Sequence, residues 1–375
     1  MIMNTVSFGK KIASRSRAVT EEDLQHGTDN LLKNCLSLEK GQELLIINEY
    51  SPWVEKEICA LYESTARKLG AKVHVLWTDR IPGPEQLPTS IVKAFENAEK
   101  TLFNHQIGGM LRLLPIGGSG LKVFNFATTA AILGSKFCKS PYGLWTEVLK
   151  ALQLKLNQVQ SWQMTSPYGT DLKAKTTENE RNPRQTSEGF SLRTFPIGTH
   201  KPFSMQKAHG ALAIRWLTPS GIHQFEPAGI RLDETVVATI EGGKITDFDG
   251  PKREVHKLKD YLEEIGKKTQ KDPYIVNSWH AGIHPLAYSP YADTDGLEPW
   301  MFIAHNNPRI AHFHVVGEVM PGEMSAPVID PTVIADGEVY WKNGELLFLN
   351  TPEMLALAAK YGCADAFVRD DEIGL

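Results

Sequence analysis

The stretch Glu43-Leu44-Leu45-Ile46-Ile47, followed by a helical segment from Pro52 to Leu69 and then Val73-His74-Val75-Leu76-Trp77, decides the fold of the N-terminal part. The first run is apolar and short, as a strand buried on both faces must be. Between Pro52 and Leu69, the residues Val54, Ile58, Leu61, Thr65 and Leu69 recur at helical spacing, and Gly70 stands where a helix C-cap belongs. The second apolar run is the next strand. Ile81-Pro82-Gly83-Pro84 breaks it. A strand, a crossover helix and a second strand joined by short connections specify a parallel sheet with helices on its faces.

Working outward, the same alternation continues with a helix near Ile91–Ala98, a strand at Thr101–Asn104 and another at Leu121–Phe126. A helix follows from Pro141 to Leu156, and a strand from Val159 to Met164. Residues 173–188 hold almost nothing apolar and read as an exposed loop, so 173–191 is an ordinary surface loop, a lid or an inter-subunit arm. Beyond it strands dominate: Gly210–Trp216, Val236–Ile240, Tyr274–His280, His312–Val316 and Thr332–Ala335. Asn343-Gly344 between two apolar runs is a hairpin signal. One helix interrupts this region, with Val255, Leu258, Leu262 and Ile265 on one stripe. The expected fold is an α/β N-terminal domain with an open, mainly parallel sheet, plus an α+β C-terminal domain with a mainly antiparallel sheet. The domain bounds are 20–155 and 156–375, after a flexible basic tail at 1–19.

Composition narrows the class. The 375 residues are 42% hydrophobic and 22% charged, enough to bury a sizeable core. The net charge of −4 gives no electrostatic basis for nucleic acid or an anionic membrane as partner. No apolar run approaches the ~20 residues that span a bilayer. Cys35, Cys59, Cys138 and Cys363 contain no CxxC pair and read as reduced core residues, which fits a cytoplasmic protein.

No dinucleotide fingerprint, P-loop, GxSxG elbow or HExxH occurs in the chain. Gly117-Gly118-Ser119-Gly120 lacks the P-loop lysine and reads as a surface turn. Histidine distribution is the sharper signal: nine of the 12 lie beyond residue 199, and five of those are His280, His284, His305, His312 and His314. On a strand, His312 and His314 project to one face, and His280 and His284 make a second pair that could converge with the first on an ion. Asp330, Glu318 and Glu323 lie nearby in the chain as possible carboxylate ligands. Two histidines and a carboxylate form the facial set that leaves positions open on iron. Paired strand histidines are equally a hydrogen-bonded core feature, and spacing alone leaves both readings open. His105 follows a strand at the carboxyl end of the parallel sheet, where open α/β sheets place ligands. Arg112, a few residues on, could hold a substrate anion.

Four features in order carry a resemblance to the M29 aminopeptidase-like superfamily, which contains thermophilic aminopeptidases and iron-dependent 2,5-dihydroxypyridine dioxygenases. They are Gly169-Thr170-Asp171-Leu172 (GTDL), Phe195-Pro196-Ile197-Gly198-Thr199 in place of (F/L)PxGE, Gly282-Ile283-His284-Pro285 in place of GxNP, and Ser325-Ala326-Pro327-Val328-Ile329-Asp330 in place of SxxHxD, with the hairpin at Asn343-Gly344 after them. The resemblance covers about residues 20–350 and implies an α/β domain, a site-bearing second domain, and self-association as homodimers or larger oligomers. The departures are as informative. Thr199 stands where the peptidases have a metal-binding glutamate, Ser278 where the dioxygenases have a histidine, and Val328 where SxxHxD has one. An ordinary two-metal peptidase site cannot be assembled from what remains.

Histidines near the lost positions suggest a rebuilt centre. The expected site has His280, His312, His314 and Asp330 on one divalent metal, with Fe(II) first and Zn or Mn as alternatives. His105 or His200 would orient or deprotonate substrate, and Arg112, His284 and Trp279 would bind it. The expected activity is a mononuclear non-haem iron enzyme acting on a small polar or aromatic molecule. The alternatives are a metal-independent or non-catalytic binding relative using the same cleft, and a zinc hydrolase with a rearranged site.

Overall fold

The computed structural model describes residues 17–111, 118, 120–178 and 191–375. Arg112, most of the charged segment 173–191 and most of the N-terminal tail lie outside them. Strands β1 (Glu43–Glu49), β2 (Lys72–Thr78), β3 (Lys100–Asn104) and β4 (Leu121–Asn125) are the apolar runs read from the sequence. Residues 44–49 of β1 and all of β3 are buried, because the sheet is covered on both faces. The crossover helix Lys56–Lys68 buries Ile58, Cys59, Tyr62, Thr65 and Ala66 and ends before Gly70, whose φ of 87° is open to glycine without strain.

The chain then makes the hairpin β5 (Ser161–Thr165) and β6 (Asp171–Lys175), which belongs to a different sheet, before β7 (Ser191–Phe195) returns to the first. β7 pairs in parallel with β4, from Leu121 opposite Ser191 to Asn125 opposite Phe195, which completes the order β2-β1-β3-β4-β7. The two domains are therefore interlaced, and no single cut at residue 155 separates them. The Gly169-Thr170-Asp171-Leu172 motif is a turn that opens β6. One local expectation changes. Residues 173–175, read as loop, finish β6: Leu172 and Ala174 face inward, while Asp171, Lys173 and Lys175 face solvent and hide the period of two.

The remaining strands are β8 (Phe203–Ser204), β9 (His209–Pro219), β10 (Ile230–Glu241), β11 (Lys244–Asp249), β12 (Val276–Ala281), β13 (Ile310–Val315), β14 (Met324–Ile329), β15 (Thr332–Ala335), β16 (Glu338–Lys342) and β17 (Glu345–Leu346). Together with β5 and β6 they form a 12-stranded antiparallel sheet in the order β17-β16-β15-β5-β6-β9-β14-β13-β12-β8, with β10 and β11 branching from β9. The amphipathic helix Lys252–Thr269 covers β10 with Leu258, Leu262 and Ile265 inward. The helix Leu297–Ala304 carries no helical stripe in sequence because it is almost wholly apolar, and it is largely buried against β9. Cys35, Cys59 and Cys138 are buried free thiols, and Cys363 is half-buried and also free. Among the described residues, no helix is long and apolar enough to cross a membrane.

Candidate metal centre

Strands β12, β13 and β14 lie side by side, and their residues are buried throughout. In register, His280 is opposite His312 and Ser278 is opposite His314. Alternation puts Trp279 and Phe313 on the other face, where Trp279 packs on Trp162 and Phe203 at ring distances of 5.1 and 5.2 Å. Ring centroids of His280 lie 4.1 Å from His312 and 5.0 Å from His314, and those of His312 and His314 are 5.1 Å apart. One ligand atom from each of the three falls within 4.8 Å of the others, the single such group of three or more histidine, cysteine or acidic side chains among the described residues.

Hydrogen bonds decide which nitrogen faces inward. His280 Nδ1 lies 2.8 Å from the His200 carbonyl; a carbonyl only accepts, so Nδ1 carries the proton and Nε2 keeps its lone pair. His314 is fixed by a longer chain of the same logic. Asn277 Nδ2 donates to the Gly317 carbonyl at 2.8 Å, which makes Asn277 Oδ1 an acceptor. Ser278 Oγ donates its only proton to that oxygen at 2.6 Å. The 2.8 Å contact between Ser278 Oγ and His314 Nδ1 is then donated by the ring, again leaving Nε2 as the ligand atom. Burial, and next the charges that His314 and His200 would add, push the His280 pKa well below the usual histidine value. A neutral imidazole with its Nε2 lone pair is the form that binds a metal.

The histidines form one wall of a cavity of about 400 Å³ between the two sheets. Phe124, Phe126 and Phe302 form an aromatic wall, with centroid separations of 4.8 to 5.7 Å. Thr199, Lys201, Ser220 and Gln106 are polar residues of its lining. His305, singled out by its position in the histidine run but given no role there, also lines the cavity. Its Nδ1 donates to the Met301 carbonyl at 2.6 Å, and its ring is 5.3 Å from His312. Glu298 is the one acidic residue lining the cavity among those described, and Arg80 grips it from the N-terminal domain, Nη1 to Oε2 at 3.0 Å and Nη2 to Oε1.

Several expected site residues stand elsewhere. Asp330 lies one residue beyond β14, past the Ile310–Ile329 pair, whereas His312 and His314 are opposite Pro327 and Ser325. Both its oxygens are held by Arg309, at 2.7 and 2.9 Å, so it does not join the histidines. His284 is in the core, stacked on Trp145 at 3.7 Å and edge-on to Phe137 at 4.6 Å. It does not line the cavity, because the chain leaves the strand at Gly282 and the period of two ends there. Trp279 cannot touch substrate from the opposite face. His200 lines the cavity, but its Nδ1 donates to the Lys201 carbonyl at 2.7 Å and its Nε2 accepts from Ala281 N–H at 3.0 Å. With both nitrogens engaged and its pKa lowered to about 4 by burial, it positions β12 and moves no proton. His105 is similarly occupied, accepting from Ile107 N–H at 3.0 Å and donating to the Asp79 carbonyl at 3.2 Å. Burial lowers its pKa against the opposing pull of Glu49. Glu323, a further possible carboxylate, is buried between His223 and Lys271.

The sequence matches no family model and no curated protein. Among solved structures, the fold is that of the M29-like proteins. The 2,5-dihydroxypyridine dioxygenase of Pseudomonas putida KT2440 matches with a TM-score of 0.63 and 16% identity, over 90% of this chain and 100% of that one. AmpT from Thermus thermophilus matches with a TM-score of 0.54 and 13% identity, over 87% of this chain and 99% of that one. The shared fold spans nearly the whole of both relatives.

Proposed function

We propose that the chain is a metal-dependent enzyme that holds one divalent ion on His280, His312 and His314 and acts on a small aromatic or polar molecule in the manner of a ring-cleaving dioxygenase. Iron(II) is the preferred metal. The observation that carries this reading is the convergence of the three imidazoles on one cavity, with the Nε2 atoms of His280 and His314 directed there by hydrogen bonds on their Nδ1 atoms. A bound ion would supply Lewis acidity at a substrate oxygen and, as iron, the one-electron chemistry with dioxygen that no side chain offers. The residues of the chain do the rest. Phe124, Phe126 and Phe302 exclude water and orient a flat ring by stacking or edge contact. His305, oriented by its bond to Met301 and lining the cavity beside His312, is the imidazole placed to exchange a proton with substrate.

A second reading, a zinc-dependent hydrolase, draws support from the same donor set, since three histidines with an open position also suit catalytic zinc. The test is metal content by mass spectrometry of protein purified anaerobically without a histidine tag, followed by oxygen uptake on small aromatic compounds. Stoichiometric iron and aromatic-dependent oxygen consumption are expected. Stoichiometric zinc without oxygen uptake would favour the hydrolase, and failure to take up any metal on reconstitution would overturn both.

A further inference from the structure

The charge balance of the cavity extends the metal reading, and the class of substrate inferred from it rests on that reading. The side chains lining the cavity include five histidines, Lys201 and one carboxylate, Glu298. Arg80 already neutralises Glu298 with two hydrogen bonds, and Arg309 holds Asp330 away from the histidines. Thr199, paired with Gly282 where β12 ends, is an uncharged residue of the wall. Nothing acidic among the described residues is left to balance a divalent ion on three uncharged imidazoles. Such a centre keeps its full double charge in a pocket with an aromatic wall, where an uncompensated charge is unfavourable. A centre with one carboxylate ligand would carry half of it.

We propose that the substrate binds as an anion, a carboxylate or enolate, with its charged end at His280, His312 and His314 and its apolar body along Phe124, Phe126 and Phe302. The anion supplies the negative charge that the protein does not. Lys201, at the exposed edge of the cavity, adds attraction for the approaching anion. Neutral and cationic molecules of the same shape gain the aromatic contacts but leave the charge unbalanced.

The experiment uses the full chain loaded with cobalt(II), whose visible absorption reports both metal uptake and changes at the metal. Benzoate, benzamide and benzylamine have nearly the same shape and charges of −1, 0 and +1. Benzoate is expected to bind at least about 30-fold more tightly than benzamide, and benzylamine not to alter the spectrum. Thr199→Glu, which returns a carboxylate to the wall, is expected to weaken benzoate about 100-fold while cobalt remains bound, and Thr199→Gln to leave benzoate nearly unchanged. If Thr199→Glu does not fold, the benzoate-to-benzamide ratio of the unaltered protein decides alone. Cobalt uptake with equal affinity for benzoate and benzamide overturns the anion proposal and leaves the metal site standing. No cobalt uptake overturns the metal reading beneath it.

Discussion

Two sets of buried histidines differ in what their nitrogens are doing. On the cavity wall, His280 and His314 each give Nδ1 to an acceptor and keep Nε2 for the cavity. In the packing around it, His200 and His105 have both nitrogens engaged by backbone groups, and His284 is stacked on Trp145 and edge-on to Phe137 with neither nitrogen hydrogen-bonded to another described residue. Burial is shared by both sets and so distinguishes nothing. A histidine is fitted for metal binding when Nδ1 is fixed by an outer acceptor and the ring belongs to the converging group that lines the cavity. His280 and His314 meet that criterion, and His312 joins them through the register that sets it against His280; the others hold the fold.

The sharpest way to break this division is to exchange one wall histidine. His312→Ala should weaken metal binding by more than the ~10–100-fold that loss of an outer hydrogen-bond partner costs. Unfolding in urea should change far less than metal affinity, and retained affinity would show that the wall does not bind the ion. The opposite pattern is expected for His284→Ala. Removing a fully buried ring from between two aromatic side chains should cost about 3 kcal/mol of stability and leave metal stoichiometry untouched. A variant that kept its stability and lost metal would put His284 in the wrong set.

Ser278 tests whether hydrogen bonds, rather than position alone, prepare the wall. Ser278→Ala frees His314 to rotate or change tautomer and should weaken metal about 10-fold in competition with a chelator. Ser278→Thr, which keeps the hydroxyl, should restore most of it. The smallest effect concerns pH. Burial lowers the folded-state pKa of His284, so the unfolded chain binds more protons there once pH falls below about 6.5. Its contribution to stability is therefore whole above that pH and declines below it, by on the order of 1 kcal/mol one unit down. His284→Phe should remove this part of the acid sensitivity, as read from urea unfolding at pH 7 and 5.5; an unchanged pH dependence would mean the ring is not kept neutral by burial.

What could be read in the sequence depended on how local each signal is. The parallel sheet was legible because β1 and β3 are short apolar runs and the helix between β1 and β2 has a clean stripe. The interlacing of the domains was hidden, because β7 is short and is stabilised by pairing with β4, far away in the chain. At the site, strand alternation places His312 and His314 on one face, but only the register of β12 on β13 sets His280 against His312. Asp330 and His284 fit the spacing and fail for reasons spacing cannot show: a bidentate Arg309 from the neighbouring strand end, and a strand that stops at Gly282. His305 and the Arg80–Glu298 pair were missed as site features because their roles come from contacts between distant segments. The aromatic wall likewise draws on both domains.

Metal stoichiometry across single alanine variants tests the division most directly. Each of His280, His312 and His314 would be exchanged in turn, with His284 and His105 as controls, all without a histidine tag and reconstituted under the same anaerobic conditions. The account predicts that every wall variant loses the ion and both controls keep it. Retention of metal by the wall variants, or its loss in either control, would contradict it.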